Sequence, residues 1–97
     1  MKAYKHLVKH ALKNNCLISV FDGEIWEVRA SKSYKEIIAC IESVEEAQIR
    51  IIDKYTTDKM GWALVIPFGL EDDETVADNT MTPFMNEWEE LYNRTTA

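Results

Sequence analysis

Along the first segment the hydrophobic residues return every three to four positions. Tyr4, Leu7, Val8, Ala11 and Leu12 share one side, and Lys2, Lys5, Lys9, Lys13, His6 and His10 share the other. The spacing predicts an amphipathic helix over residues 2–14 with one basic, solvated face. Asn14 and Asn15 suit its C-terminal end, because asparagine tolerates the left-handed conformation that stops a helix.

The period then shortens to two. Residues 16–20 and 25–30 read as strands joined through Asp22-Gly23, a hairpin signal. A two-residue loop would set Ile18 opposite Glu27 and Cys16 opposite Arg29. A three-residue loop gathers Cys16, Ile18, Trp26 and Val28 on one apolar face, and the pattern favours it. Ser33 and Glu36 have capping-box spacing, and the helix they open runs to about Ser43 with Tyr34, Ile37, Ile38, Ile41 and Val44 as its buried stripe.

A second strand pair covers residues 47–53, alternating through Ile49 and Ile51, and residues 61–67, apolar on both faces like a central strand. Residues 70–80 read as an acidic connection with a helical turn near Asp73. Thr82 as N-cap and Pro83 at the first position open a last helix, striped by Phe84, Met85, Trp88, Leu91 and Tyr92. The order α-β-β-α-β-β-α predicts an α+β fold, a four-stranded, mainly antiparallel sheet with helices packed on one face.

A chain of 97 residues suits a single domain, residues 1–97. With 46% hydrophobic and 29% charged residues, it should fold alone or as a small oligomer such as a homodimer. No apolar run approaches the roughly 18 to 20 residues of a membrane span, and no continuous apolar core of a signal peptide follows the charged N-terminus. A cytoplasmic protein is expected. Cys16 and Cys40 lack partners at metal-ligand spacing and read as buried free thiols.

Charge changes the picture more than composition does. Residues 1–21 carry Lys2, Lys5, Lys9 and Lys13 and no acid, so a net charge of −6 leaves −10 on the remainder. Glu71, Asp72, Asp73, Glu74, Asp78, Glu87, Glu89 and Glu90 follow one another without a Lys or Arg among them.

Candidate chemistry is sparse. His6 and His10 stand one helical turn apart, yet a stable metal site needs three or four ligands, and two solvated imidazoles are expected instead. The acids at 71–78 lack the alternating ligands and central glycine of a calcium loop, and they crowd one segment rather than facing each other across a cleft. No metal or cofactor is expected. Trp26, Trp62 and Trp88 fall at core-facing spacings without interleaved Arg or Lys, which favours core over base stacking.

The segments Ile18-Ser19-Val20-Phe21-Asp22-Gly23-Glu24-Ile25-Trp26-Glu27-Val28 and Gly61-Trp62-Ala63-Leu64-Val65-Ile66-Pro67 together resemble small accessory proteins of bacteriophages. The resemblance implies a setting in which small acidic proteins bind and inhibit host enzymes, some by imitating the charge of DNA. It assigns no active site.

Three functions then stand in order. The first is a non-enzymatic, protein-binding regulator using the acidic residues at 71–78 and 87–90. The second is a nucleic-acid-associated protein using Lys2, Lys5, Lys9 and Lys13, although the acidic remainder would repel a duplex. An enzyme using acids of the 71–78 segment comes last, since no base, nucleophile or metal set converges there.

Overall fold

The computed structural model describes residues 1–96. Helix α1, Ala3–Lys13, buries Ala3, Tyr4, Leu7, Val8 and Ala11 along one stripe, as its helical period requires. Asn15 follows in the left-handed region at φ 59°. Strand β1, Cys16–Phe21, alternates buried and half-buried residues, and β2, Trp26–Ser31, returns beside it. Ser33 caps α2, Tyr34–Glu42, by accepting a hydrogen bond from the Glu36 N–H at 3.3 Å. Strands β3, Ala47–Asp53, and β4, Lys59–Val65, form the second hairpin. A 3₁₀ turn at Asp72–Thr75 leads into β5, Val76–Asn79. Helix α3, Pro83–Thr96, starts at Thr82, whose hydroxyl oxygen accepts from the Met85 N–H at 3.3 Å.

The fold is α+β, but the sheet has five strands rather than four, in the antiparallel order β2-β1-β3-β4-β5. The additional strand is Val76-Ala77-Asp78-Asn79, part of what the sequence presents as an acidic connection. Its pairing comes from outside itself: Val76 lies opposite Val65, Asp78 opposite Leu64 and Asn79 opposite Ala63. A short, polar edge strand of this kind has no periodic signal of its own, and its charge discourages further pairing.

Helix α2 carries the chain from edge strand β2 across β1 to β3 on the far side. All three helices lie on one face, α2 over β1 and β2, α1 against β1, and α3 over β4, with α1 touching both other helices. Ile18, Val20, Ile49, Ile51, Ala63 and Val65 point into the core from the sheet. The Tyr4 hydroxyl ties α1 to α2 by donating to the Glu42 carboxylate, and Lys5 reaches the same carboxylate at 3.7 Å. Burial first, and then that carboxylate, push the Tyr4 hydroxyl well above the usual tyrosine value.

Thr75 is the one polar residue in the core of the described residues. Its hydroxyl donates to the Asp72 carbonyl at 2.7 Å and accepts from the Tyr4 N–H at 3.3 Å, which joins the acidic segment to the first turn of α1. No helix among the described residues is long and apolar enough to cross a membrane.

The first hairpin departs from its expected register. Four residues separate its strands, and the Asp22 carboxylate closes the turn by accepting from the Glu24 and Ile25 N–H groups at 2.8 and 2.9 Å. Phe21 then faces Trp26, and Val20 faces Val28, so Glu27 is an extra residue and forms a bulge. Cys16, Ile18 and Val28 do share the helix-covered face, as expected. Trp26 does not, because the bulge turns it to the opposite side with Phe21, at 5.0 Å between ring centroids.

Candidate binding groove on the open sheet face

No helix covers the second face of the sheet. Period-two alternation sends Ser19 of β1, Gln48 and Arg50 of β3, and Trp62 and Leu64 of β4 to this side, between the buried positions of the same strands. Arg50 lies directly across from Ser19 on one neighbour and from Trp62 on the other. Directly opposed side chains share a face, so the three form one row across the sheet.

Edge strand β2 adds to that row through a second irregularity. Ile18 pairs with Ser31 and Val20 with Val28, so Arg29 and Ala30 both stand against Ser19. Ala30 adopts φ 47°, and its N–H donates to the Ser19 hydroxyl at 2.8 Å instead of to the ladder. Arg29 and Trp26 thereby lean over the open face.

The result is a groove of about 740 Å³, within the size of small-molecule sites, lined by Trp26, Arg29, Arg50, Lys59, Trp62 and Thr80 among others, with no carboxylate in its wall. The Arg50 guanidinium sits 4.8 Å from the Trp26 ring centroid, and that of Arg29 sits 5.6 Å from it. Trp62 is fixed in another way, its indole N–H donating to Gln48 Oε1 at 3.2 Å. The backbone behind it is held by Thr80, whose hydroxyl oxygen accepts from the Trp62 N–H at 3.0 Å. Ion pairs among the described residues join Lys5 to Glu42 and Arg94 to Glu90, so Arg29, Arg50 and Lys59 keep their charge for a ligand.

Two of the three tryptophans thus depart from the expectation of a core position. Trp26 and Trp62 are half-buried on the open face with arginines between them, and Trp88 alone is in the core. The missed signal lay in reading the two strands of a hairpin together. Arg50 between Ile49 and Ile51 marks the outward side of β3, and pairing β4 against it puts Trp62 on that side.

The acidic candidates all reach solvent. Glu71, Asp72, Asp73, Glu74, Asp78, Glu87, Glu89 and Glu90 are exposed. Glu71, Asp72 and Asp73 line a shallow depression with Leu70 and Tyr92, which brings the acidic turn against the second half of α3. Burial and then Asp72 and Asp73 raise the Tyr92 hydroxyl above its usual value. Asp78 stands apart from these, opposite Leu64 and therefore on the open face at the sheet edge.

The basic face of α1 is largely engaged by its own chain. The Lys2 ammonium donates to the Pro67 carbonyl at 2.9 Å, Lys5 pairs with Glu42, and Lys9 lies 5.4 Å from the Tyr34 ring centroid, while Lys13 is exposed.

The two histidines are not solvated on that face. They are half-buried beneath α3, where His6 Nδ1 accepts from the Trp88 indole N–H at 3.1 Å and His10 packs 5.2 Å from Phe84. Among the described residues no group of three or more His, Cys, Asp or Glu side chains is placed to hold a metal. Both thiols are free, Cys16 buried and Cys40 half-buried.

Burial pulls both imidazoles below the usual histidine value; at His6 the neighbouring His10 charge adds to this, and at His10 Glu87 opposes it. The unfolded chain therefore binds more protons as pH falls through about 6.5, and stability present above that value is lost as pH drops through the folded values. Melting temperature should fall between pH 7.5 and pH 5.5, a window in which carboxylates of ordinary value stay ionised. Equal melting temperatures at the two pH values would contradict the lowering of both histidines by burial.

Comparison with family models, with curated proteins and with solved structures finds no match.

Proposed function

We propose that this protein is a non-enzymatic binding module whose working surface is the open sheet face, and that its partner is anionic. One observation carries the reading: three cationic side chains without carboxylate partners converge with two indoles in a groove whose wall holds no acid. In a chain of net charge −6, that local excess of positive charge is where an anion would be drawn. Inorganic polyphosphate tests this with nothing but charge. At low salt it should shift the Trp62 indole signal in ¹H–¹⁵N spectra, and Arg29→Glu with Arg50→Glu should abolish the shift. Polyphosphate binding that survives both reversals would place the anion site elsewhere.

A second reading concerns the acidic side and rests on its exposed apolar residues. Leu70 is 97% exposed and Phe68 is 62% exposed, both next to Glu71, Asp72, Asp73 and Glu74. Large apolar side chains rimmed by charge are the composition of a protein-docking surface. On this reading the chain is a cytoplasmic regulator, a phage accessory or inhibitory factor, that presents its acidic rim to a basic host protein. Leu70→Asp, and separately charge reversal at residues 71–74, should weaken capture of a protein partner without changing the melting temperature by more than about 2 °C, because exposed charges contribute little to stability. Undiminished capture by both variants would remove this reading.

A further inference from the structure

Resting on the reading of the open face as an anion-binding surface, we infer that its ligand is a single-stranded nucleic acid, with a base stacked on Trp62 and flanking phosphates held by Arg29, Arg50 and Lys59. Three features argue for this occupant over other anions. First, the groove couples cations to flat aromatic rings, and a strand of unpaired nucleotides alternates phosphates with flat rings.

Second, the two indoles are held differently. Trp62 is anchored through Gln48 Oε1 and backed by Thr80, a fixed platform, whereas Trp26 carries the guanidinium groups of Arg50 and Arg29 against its ring. The row Arg29, Ser19, Arg50, Trp62 crosses the sheet from its β2 edge to β4, so cationic groups precede the platform along one line. A strand laid along that line meets charge and then stacking surface.

Third, the form must be single-stranded. The bases of a duplex are stacked on one another and closed to an indole. Asp78, opposite Leu64 on the open face beside the groove, would also oppose the dense charge of a duplex, whose footprint is wider than the groove. A single strand needs only the groove.

Fluorescence anisotropy with a labelled 12-nucleotide poly(dT) strand tests the inference in 50 mM salt, with four unlabelled competitors. These are an abasic 12-mer, a 12-base-pair duplex, inorganic polyphosphate and thymidine monophosphate. The labelled strand should bind, with a slope of log K against log salt of about −2 for three phosphate contacts. All four competitors should displace it far less well than unlabelled poly(dT).

Trp62→Ala should weaken binding about 5- to 150-fold, the worth of one stacked base. Arg29→Gln with Arg50→Gln should weaken binding and flatten the salt slope. Because Trp62 and both arginines face solvent, these variants should melt near the parent, which separates lost binding from lost folding. The set Lys2→Gln, Lys5→Gln, Lys9→Gln and Lys13→Gln should bind as the parent does.

Abasic strand or polyphosphate competing as well as poly(dT) would overturn the nucleic-acid inference and leave the anionic groove standing. Thymidine monophosphate competing as well as poly(dT) would overturn the strand as ligand and leave a groove for a single nucleotide. Duplex competing equally would overturn the single-strand assignment. If neither poly(dT) nor polyphosphate binds, inference and underlying reading both fail. If only the lysine set loses binding, the site is α1 and not the groove.

Discussion

Replacing Trp88 with alanine is expected to cost about 3–5 kcal/mol of folding stability, much of what a domain of this size has. Trp88 is 3% exposed on the inner side of α3, and its indole stacks on Tyr92 at 5.9 Å between centroids. Truncation leaves a cavity between α3 and α1 that neither helix can close without moving. It also uncovers His6, whose value is lowered first by burial, so His6 should titrate closer to the ordinary histidine value in this variant. Denaturant unfolding followed by circular dichroism reads the first effect, and histidine NMR titration reads the second. Trp26→Ala and Trp62→Ala should cost much less, because each indole already has one side in solvent. Equal losses at all three positions would show that the open face is in fact packed against something.

The contrast among the tryptophans shows what the sequence could carry. Trp88 was legible because Phe84, Met85, Trp88 and Tyr92 repeat at helical spacing, and a helix commits its whole apolar stripe to one side. Leu91, expected in the same stripe, sits at its margin and is exposed. Helix α1, the serine cap of α2, the threonine cap of α3 and both hairpins were legible for the same reason, since each depends on residues close together in the chain.

The candidate site was not legible, because it depends on pairings between strands. Trp26 faces outward only because Glu27 is bulged, and Arg29 joins it only because Ala30 breaks the ladder beside Ser19. A one-residue irregularity exchanges the faces of every residue beyond it, and no local pattern at Glu27 or Ala30 announces one. Strand β4 misled in another way. Trp62, Ala63, Leu64 and Val65 are apolar on both faces, as in a strand covered twice, yet one face carries the groove. Histidines also looked solvated because a helical wheel of α1 shows which residues lie opposite the leucines, and not that α3 covers part of that side.

Charge followed the same logic. The acids do face solvent, but net charge averages away the cations of the candidate groove. Arg29, Arg50 and Lys59 come from three strands and meet only after folding, while two of the four conspicuous lysines of α1, Lys2 and Lys5, are held by the Pro67 carbonyl and the Glu42 carboxylate. A cluster contiguous in sequence was therefore the weaker guide to where charge is available.

Gly61 should resist substitution strongly, and the reason can be isolated by a compensating change. It lies opposite Ile51 on the helix-covered face of β4, where α3 comes down on the strand. A Cβ at this position would stand 2.5 Å from Met85 Cγ and 2.6 Å from Met85 Sδ. Met85 is flexible by nature, but here it is fully buried and has little room to yield. Gly61→Ala should therefore cost about 1–3 kcal/mol through overpacking. Met85→Ala should cost about 2–5 kcal/mol through the cavity it leaves. In the double variant the new methyl group occupies part of that cavity and keeps only the ordinary 3.6 Å contact with Thr80 Oγ1, so the combined loss should fall short of the sum of the two by about 0.5–3 kcal/mol. Denaturation midpoints of the four proteins measure this directly. Strict additivity would mean that Met85 swings clear of position 61 at no cost, and that α3 is not held close to β4 by the missing side chain.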